Sequence, residues 1–361
     1  MGAFQFHRRT FPMPLTPLFH RLTNEIERLT GLLGDAVRLP PDRIFDRSDS
    51  VDLGPAGKVS ANGSCRLLLA NDGWLALNLP RETDLELIPA LVEANIDHAD
   101  WRDVTERIQR RPKREVFQSA ARLGLAVSIP GEVNTCDEFP FVSRTKPVGA
   151  SARGHRMPQV IDLSSLWAGP LCGSIFAEMG ADVLKVESIH RMTIGAAARS
   201  PHHHRLNSKK RHLQLDFRSE RDLEKLRHLL SNADIVITNG RRRAFEQMGI
   251  IPSDLMKGKP GLVWIAITGY GFYGPQSHRI AFGDDAAVAG GLVDLADDGS
   301  PVFMGDAIAD PLTGLSAAIA AIELVTKDTG AFIDASLSRV AAGAARSSCQ
   351  TTATTGGQIS E

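Results

Sequence analysis

The sequence predicts an α/β protein with two parts, a large domain built on a doubly wound parallel sheet and a smaller α+β domain that precedes it. Its 361 residues suggest about two domains of ~150 residues each. From residue 157 onward, strand-like and helix-like segments alternate, which is typical of βαβ units in a parallel sheet. Earlier in the chain, two apolar runs flank Asn71-Asp72-Gly73, which indicates an antiparallel hairpin.

Residues 1–50 are expected to form an N-terminal helical segment. In the stretch LFHRLTNEIERLTGLLG, apolar residues recur at helical spacing, and Gly34 is the expected end of the helix. These apolar residues are Leu18, Leu22, Ile26, Leu29 and Leu33. The pattern predicts one helix that packs against a core along this stripe.

Residues 51–140 are expected to form the small α+β domain, and residues 141–156 a linker. The stretch CRLLLANDGWLALNL supplies the two strands of the hairpin, and RRPKREVFQSAARLG is the clearest helical segment. Proline, serine, glycine and arginine then accumulate while the apolar periodicity fades. The large domain is expected to cover residues 157–361.

In the large domain, strands are predicted at VIDL, DVLKVE, HLQLDF, DIVIT and LVWIAIT, with helices at PLCGSIFAEM, SERDLEKLRHLLSNA and FEQMG. The first unit is VIDLSSLWAGPLCGSIFAEMGADVLKVE, and only Gly169 lies in its turn between strand and helix. A dinucleotide site would need G-x-G-x-x-G at this turn. The sequence therefore disfavours NAD binding.

The composition argues against a nucleic-acid or membrane partner. The chain has 41 basic and 42 acidic side chains, so its formal net charge of -1 creates no strong field of either sign. Its four cysteines lie far apart without a CxxC pair, which disfavours a zinc site or a disulfide framework. The sequence has no run of about 18 apolar residues. We expect a cytoplasmic protein without a bound metal.

Several stretches of the large domain follow one another in an order that resembles one protein family. AGPLCGSIFAEMGADVLKVE is similar to the N-terminal signature of the class III CoA transferases, a superfamily that also contains α-methylacyl-CoA racemase. The similarity continues through NSKKRHLQLDFRS, ADIVITN, LVWIAITGYGFYGP, AFGDDAAVAGGL and ADPLTGLSAAIAAIEL, and covers roughly residues 157–337. It implies an open α/β CoA-binding large domain, a smaller domain and an interlocked homodimer.

The small domain also resembles this family, but in an unusual position. SANGSCRLLLANDGWLALNLP and VFQSAARLGLAVSIPGEV look like the strands and closing helix of the family's small domain, which usually follows the large domain. In this chain they precede it. The resemblance therefore implies a circularly permuted or rearranged member of the family.

Asp310 is the candidate nucleophile. An aspartate followed by proline and an apolar-periodic run predicts a helix N-cap, where helix-end N–H groups favour the charged carboxylate. The resemblance implies that this carboxylate attacks an acyl carbon, since the family's nucleophilic aspartate lies four residues before a glycine and Gly314 meets that spacing. Tyr270 matches an aromatic residue that the family places near the nucleophile, although a packing role explains it equally well.

Coenzyme A, the carrier that the resemblance implies, has three phosphates, which favour local cations and helix N-termini. The candidate CoA contacts, taken from family positions and local charge, are Leu166, Trp167, Lys210, Arg211, Arg218 and Asn239. In the triplet Arg241 to Arg243, one or two side chains are expected to lie on a solvated face. Positions where the family commonly carries basic or aromatic residues hold Ser188, Gly240 and Gln247.

Other polar groups receive mostly structural interpretations. The triplet from His202 to His204 is expected in a solvated loop rather than at a metal, because consecutive side chains point in different directions. Of Asp284 and Asp285, one is expected to cap a helix and the other to be solvated. Backbone N–H groups in the Gly290-Gly291 region are candidates to bind an oxyanion.

We predict an enzyme, a class III CoA transferase that moves CoA from an acyl-CoA donor to a free carboxylic acid through an aspartyl intermediate. One alternative is an α-methylacyl-CoA racemase-like epimerase, but the stretch Phe282-Gly283-Asp284-Asp285 lacks the histidine of the racemase motif. A second alternative is a non-catalytic CoA-binding or partner subunit, motivated by the replaced basic positions and the domain order. The expected partners are an acyl-CoA, a carboxylic acid and a second copy of the chain, with no nucleic acid or membrane.

Overall fold

The computed structural model describes residues 13–55, 57–95, 100–146, 149–150, 154, 156–190 and 200–355. The N-terminal segment contains helix α1 (Thr16–Thr30) and the short helix α2 (Pro41–Phe45). Helix α1 buries the first four residues of the predicted apolar stripe but ends at Thr30 rather than at Gly34, so Leu33 lies beyond the helix and is half-buried. Gly34 instead packs against the backbone of Met179, because a Cβ atom there would lie 2.3 Å from the Met179 carbonyl oxygen.

The small domain is an antiparallel sheet covered by helices. Its elements are β1 (Cys65–Ala70), β2 (Gly73–Asn78), α3 (Glu82–Leu85), α4 (Ile88–Val92), α5 (Trp101–Gln109), α6 (Lys113–Arg122) and β3 (Ala126–Ser128). The strand order is β1-β2-β3. The predicted hairpin is confirmed, since Ala70 pairs with Gly73 across a two-residue turn. One face of the sheet packs against the helices, and the other packs against the large domain at Val288 and Phe303.

The large domain follows with alternating strands and helices. Its elements are β4 (Ser143–Arg144), β5 (Gly149–Ala150), β6 (Gln159–Asp162), α7 (Ala168–Glu178), β7 (Asp182–Ser188), α8 (Pro201–Asn207), β8 (Arg211–Leu215), α9 (Glu220–Asn232), β9 (Ile235–Thr238), α10 (Arg242–Gln247), α11 (Pro252–Gly258), β10 (Val263–Thr268), α12 (Gly283–Ala289), β11 (Val293–Leu295), β12 (Pro301–Phe303), α13 (Ala309–Thr326), β13 (Thr329–Ser336) and α14 (Leu337–Thr355). Two short strands, β4 and β5, thus lie within the predicted linker, where both pair antiparallel with β13.

The predicted doubly wound parallel sheet is confirmed. Its order is β4-β13-β10-β9-β6-β7-β8, and the strands from β13 to β8 all run parallel. Side chains alternate between two cores, as the period of a strand requires: Ile235 and Ile237 pack with α7 and α13, whereas Val236 packs with α9. Strand order reverses at β6, which places a topological switch point between the carboxyl ends of β6 and β9.

The N-terminal helix belongs to the core of the large domain. Leu22 and Ile26 of α1 share one buried cluster with Phe176 of α7 and Leu315 of α13. The expected segment of residues 1–50 therefore has no core of its own. Helix α13 is the one helix in the described part of the chain that is long and apolar enough to cross a membrane, but 83% of it is buried, so it is weak evidence for a span.

Candidate active site

A cleft of about 230 Å³ opens at the switch point of the sheet. The turn after β6 contributes Leu166, the end of β9 contributes Asn239, and the start of α13 contributes Asp310. Asn239 fixes the turn, because its side chain accepts a hydrogen bond from the Ser165 N–H at 3.1 Å and donates one to the Ser165 carbonyl at 2.7 Å. The structure thus brings together three of the residues that the sequence selected.

The turn holds Leu166 in an unusual conformation. Its φ is +69°, in the left-handed region that side chains disfavour, and the residue is 67% exposed. Strained backbone of this kind persists only where the surrounding structure holds it, as the two hydrogen bonds between Asn239 and the neighbouring Ser165 do here. Leu166 therefore presents an apolar side chain to the cleft at the place predicted to border a nucleotide.

Two glycines bring Asp310 to this turn. At Gly314, one helical turn further along α13, a Cβ atom would lie 2.6 Å from the carbonyl oxygen of Ala168, so only glycine allows α13 to approach α7 so closely. At Gly283, a Cβ atom would lie 2.5 Å from Asp310 Oδ2. The four-residue spacing between Asp310 and Gly314 therefore places a carboxylate and a helix contact on the same face of α13.

Asp310 is not a helix N-cap, contrary to the prediction. It is the second residue of α13, the N-cap is Ile308, and no side chain caps this end of the helix. Asp310 is partly exposed and lines the cleft.

Three further aspartates lie behind the cleft wall. Asp284 Oδ1 accepts a hydrogen bond from the Ala307 N–H at 2.9 Å, and its Oδ2 accepts one from Asn62 at 2.7 Å. Asp306 forms a two-pronged ion pair with Arg47 at 2.6 and 2.8 Å. We call Asp284, Asp285, Asp306 and Asp310 the carboxylate cluster.

The expectation that one of the pair Asp284 and Asp285 is solvated was wrong. Asp285 caps α12, accepting the Phe282 N–H at 2.9 Å, and also accepts a hydrogen bond from Asn78 at 2.7 Å. Both aspartates are buried. One small-domain amide and one backbone N–H replace water around each aspartate, and the two amides, from Asn62 and Asn78, are distant in sequence.

Burial raises the pKa of three members of the carboxylate cluster, Asp284, Asp285 and Asp310. Burial, opposed by Arg47 and assisted by the charges of the other three aspartates, raises the pKa of Asp310 to about 7. Burial likewise raises the pKa of Asp284 to about 6 and that of Asp285 to about 7. Burial therefore opposes the expected effect of the helix terminus on Asp310, and a helix terminus contributes only ~0.3–1 kcal/mol, less than one pKa unit.

Two predicted CoA contacts lie behind the turn rather than in the cleft. The fully buried Lys210 ammonium donates to Asp162 at 2.8 Å, to the Pro170 carbonyl at 2.8 Å and to Asn207 at 3.1 Å. Trp167 is 2% exposed and lies 4.8 Å beneath the Arg47 guanidinium. Both residues support the turn, and neither is among the residues that line the cleft.

Two predicted arginine contacts also lie away from the cleft. Arg211 pairs with Asp182 at 2.7 Å on β8, the edge strand of the sheet, and Arg218 is exposed just beyond that strand. The arginines that line the cleft are Arg81, Arg241, Arg242 and Arg279. The basic triplet was a usable signal for two of them, whereas Arg81 and Arg279 stand alone in the sequence and have no recognisable motif.

Tyr270 turns away from the cleft toward the small domain. It is 5% exposed, and its hydroxyl donates to Glu132 at 3.3 Å. Arg279 lies over its ring at 3.6 Å and pairs with the same Glu132 at 2.7 Å. Burial raises the pKa of Tyr270 well above its usual value. The flanking Gly269 and Gly271 line the cleft, but the tyrosine side chain faces the other side of this loop.

The proposed oxyanion donors are occupied. The Gly290 N–H donates to the Ala286 carbonyl and the Gly291 N–H to the Val288 carbonyl, both at 3.0 Å. These bonds close the C-terminal end of α12, so the two N–H groups are not free to bind an oxyanion. That part of the prediction was wrong.

The histidine triplet lies on helix α8 rather than in a loop. His202 packs edge-on against Trp167 with ring centroids 4.8 Å apart, and burial together with Arg47 lowers its pKa to about 4. In the described ranges, no group of three histidine, cysteine, aspartate or glutamate side chains is arranged to hold a metal ion.

A cleft at the switch point of a doubly wound sheet, with a partly buried carboxylate of raised pKa, is typical of an α/β enzyme. Residues 158–361, more than half of the chain, match the family described as CoA-transferase family III. The chain therefore belongs to CoA-transferase family III, and the predicted family is confirmed.

Several known proteins are similar to about half of the chain. The protein is 31% identical over 182 residues to (R)-2-hydroxy-4-methylpentanoate CoA-transferase of Clostridioides difficile, covering 47% of this chain and 46% of the relative. It is 31% identical over 193 residues to the succinyl-CoA–L-malate CoA-transferase beta subunit of Chloroflexus aurantiacus, covering 50% and 48%. A CAIB/BAIF family protein from Brucella suis superposes with a TM-score of 0.49 at 27% identity, covering 58% and 59%. The chain spans about half the length of the curated relatives that it matches.

Proposed function

We propose that the protein transfers CoA from an acyl-CoA donor to a free carboxylic acid, with Asp310 forming the covalent intermediate. The observation that carries this proposal is the position of Asp310, a carboxylate held in an arginine-lined cleft at the switch point of the sheet. The names of the relatives support CoA transfer as the reaction class. The chain matches only about half the length of those relatives, so transfer from an acyl-CoA to a free acid is proposed here as a whole, including both acids.

The proposed reaction exchanges acyl groups without a net change in oxidation state. An Asp310 oxygen attacks the thioester carbonyl, the C–S bond breaks, and CoA thiolate leaves behind a mixed anhydride. The thiolate then attacks the Asp310 carbonyl, which releases the donor acid and forms an aspartyl-CoA thioester. The acceptor carboxylate attacks that thioester and expels CoA thiolate, which finally attacks the acceptor acyl carbon to regenerate Asp310.

The cleft suits the two kinds of anionic group in this reaction, the phosphates of CoA and the carboxylate of the acid. Arg241 is exposed, lines the cleft next to Asn239 and forms no ion pair with the described residues, so its guanidinium is available to a phosphate. Leu166 offers an apolar contact beside it. Arg81 lines the same cleft as Asp310 and is a candidate to hold a carboxylate, whereas Arg279 is already paired with Glu132.

The compartment and the assembly are proposed by analogy with the family rather than from the cleft. We infer a cytoplasmic protein that acts as a homodimer, with the rearranged domain order that the sequence indicates. The small domain would then form one wall of the active site, as Arg81 does at its edge. A partner subunit remains the competing interpretation, and a relative described as a beta subunit supports keeping it.

The nucleophile is tested with Asp310→Asn. This variant keeps the size of the side chain but removes the nucleophile, so we expect transfer from a panel of acyl-CoAs to free acids to be lost. Asp254→Asn, an exposed aspartate on α11, is the matched control and should keep full activity. Hydroxylamine added during turnover should convert Asp310 to a hydroxamate, seen as a mass shift of the ADPLTG peptide. A hydroxamate on another residue, or full activity in Asp310→Asn, would overturn the proposal.

A further inference from the structure

Arg47 reaches the carboxylate cluster from the N-terminal segment. It follows helix α2 in the chain and lies outside the residues 158–361 that match the family. Its guanidinium binds both oxygens of Asp306 at 2.6 and 2.8 Å, and it stacks on Trp167 at 4.8 Å. The side chain is 18% exposed, and its Asp306 partner is fully buried. A two-pronged, mostly buried ion pair of this kind is geometrically fixed.

Asn62 reaches the same cluster from the start of the small domain. Its amide nitrogen donates to Asp284 at 2.7 Å and to Asp306 at 3.2 Å, so one amide joins two carboxylates. Its amide oxygen accepts the Ser64 N–H at 3.0 Å, which fixes the direction of the amide. Arg47 and Asn62 thus hold the carboxylates beside Asp310 from two segments that the family match does not include.

We propose that Arg47 is a positioning residue for Asp310, because it neutralises Asp306 and so lets Asp310 ionise beside three other carboxylates. The role of this ionisation in catalysis rests on the proposed function. Without Arg47, Asp306 would be a buried carboxylate without its ion-pair partner. Because neighbouring carboxylates disfavour each other's ionisation, Asp310 would then ionise less readily. Arg47 would therefore decide whether the cluster contains an ionised nucleophile near neutral pH.

The charges around Asp310 come from several elements. Asp284 and Asp285 face it from α12, Asp306 faces it from the loop before α13, and Arg47 faces it from the segment after α2. The arginines that share its cleft are Arg81, Arg241, Arg242 and Arg279. On the far side of Arg47, His202 is held neutral because burial and Arg47 lower its pKa to about 4. Arg47 acts on Asp306, Asp310 and Asp284 together.

The proposal predicts opposite changes from removing either member of the ion pair. Asp residues labelled with ¹³C at the carboxyl carbon are titrated by NMR, and the Asp310 signal is assigned by its loss in Asp310→Asn. Arg47→Met should raise the titration midpoint of Asp310 by about one pH unit or more, whereas Asp306→Asn should lower it. The double variant Arg47→Met with Asp306→Asn should return toward wild type, because it removes both charges. Arg47→Lys should shift the midpoint less than Arg47→Met.

Unchanged Asp310 midpoints in folded Arg47→Met and Asp306→Asn would overturn the proposal. If Arg47→Met fails to fold, Asp306→Asn and Arg47→Lys still test it, since each keeps a cation at residue 47. The pH profile of CoA transfer should shift in the same direction as the NMR midpoint. A loss of rate without any shift would indicate a purely structural role and would also overturn the proposal. An NMR shift in a protein that transfers no CoA would refute the proposed function and support the role of Arg47.

Discussion

Gly314→Ala tests whether the glycine four residues after the nucleophile is there for packing. The added Cβ would lie 2.6 Å from the carbonyl oxygen of Ala168, about 0.8 Å less than the 3.4 Å at which ordinary contact begins. The nearest side-chain atoms, on Leu171, would be 3.1 and 3.2 Å away. Backbone crowds this position, so rotation of a side chain cannot relieve the contact, and α13 must move away from α7.

The magnitude follows from two opposing effects. Overpacking a buried site costs about 1–3 kcal/mol, and replacing glycine by alanine inside a helix returns about 1 kcal/mol. We therefore expect Gly314→Ala to lower the free energy of unfolding by about 0–2 kcal/mol. The movement of α13 displaces Asp310 relative to the turn at Leu166, and a misplacement of ~1 Å can cost ~100-fold in rate. Activity should thus fall by about 10- to 100-fold, more than stability suggests.

The assays are guanidinium unfolding and initial rates of CoA transfer on the same preparations. Gly258→Ala is the control, because Gly258 is an exposed residue at the end of α11 and a Cβ atom there has no neighbour within 4 Å. It should keep wild-type rates and gain at most about 1 kcal/mol in stability. Wild-type rates and stability in Gly314→Ala would refute the packing explanation for this spacing.

Four further predictions follow from the site and the family. Arg241→Ala should weaken CoA binding by about 1–3 kcal/mol in calorimetric titration, whereas Arg218→Ala should not; equal losses would return Arg218 to the site. Asp285→Asn should raise Tm at about pH 8 and flatten its pH dependence. Burial holds the pKa of Asp285 at about 7, so its stabilising contribution is present below the unfolded pKa and is lost as pH rises through 7; an unchanged profile would contradict this. Proton NMR in heavy water should show no catalytic exchange of the α-proton of a 2-methylacyl-CoA, and rapid exchange abolished by Asp310→Asn would favour racemisation. Light scattering should give twice the 39.1 kDa chain mass, and a stable monomer would exclude the homodimer.

The sequence was most informative about elements whose signal is local. Alternation of strands and helices predicted the parallel sheet, and the Asn71-Asp72-Gly73 turn predicted the hairpin between β1 and β2. Both signals depend on residues a few positions apart, where periodicity and turn chemistry act directly. The ends of elements were less predictable, since Gly34 is required by a contact with Met179 rather than by the end of α1.

Tertiary structure decides which lysine and arginine side chains line the cleft. Lys210 directly precedes β8 and Arg211 begins it, yet Lys210 is buried in an ion pair with Asp162 and Arg211 is exposed at the sheet edge. The sequence shows that a lysine or arginine is present. Whether its side chain points into the protein or toward solvent depends on which acidic neighbour the fold places near it. Burying an ammonium is costly unless it is paired and hydrogen-bonded, and Lys210 meets this requirement with three acceptors.

By itself, the sequence determined the family, the sheet and the candidate nucleophile Asp310, because these follow from ordered motifs and from spacing along one chain segment. Tertiary structure alone decided the environment of that nucleophile. Arg47 and Asp306 are 259 residues apart, and Asn62 and Asp306 are 244 residues apart, so no local pattern links them. Ionisation depends on burial and on charges a few ångströms away, whatever their position in the chain, and folding is what brings those charges together.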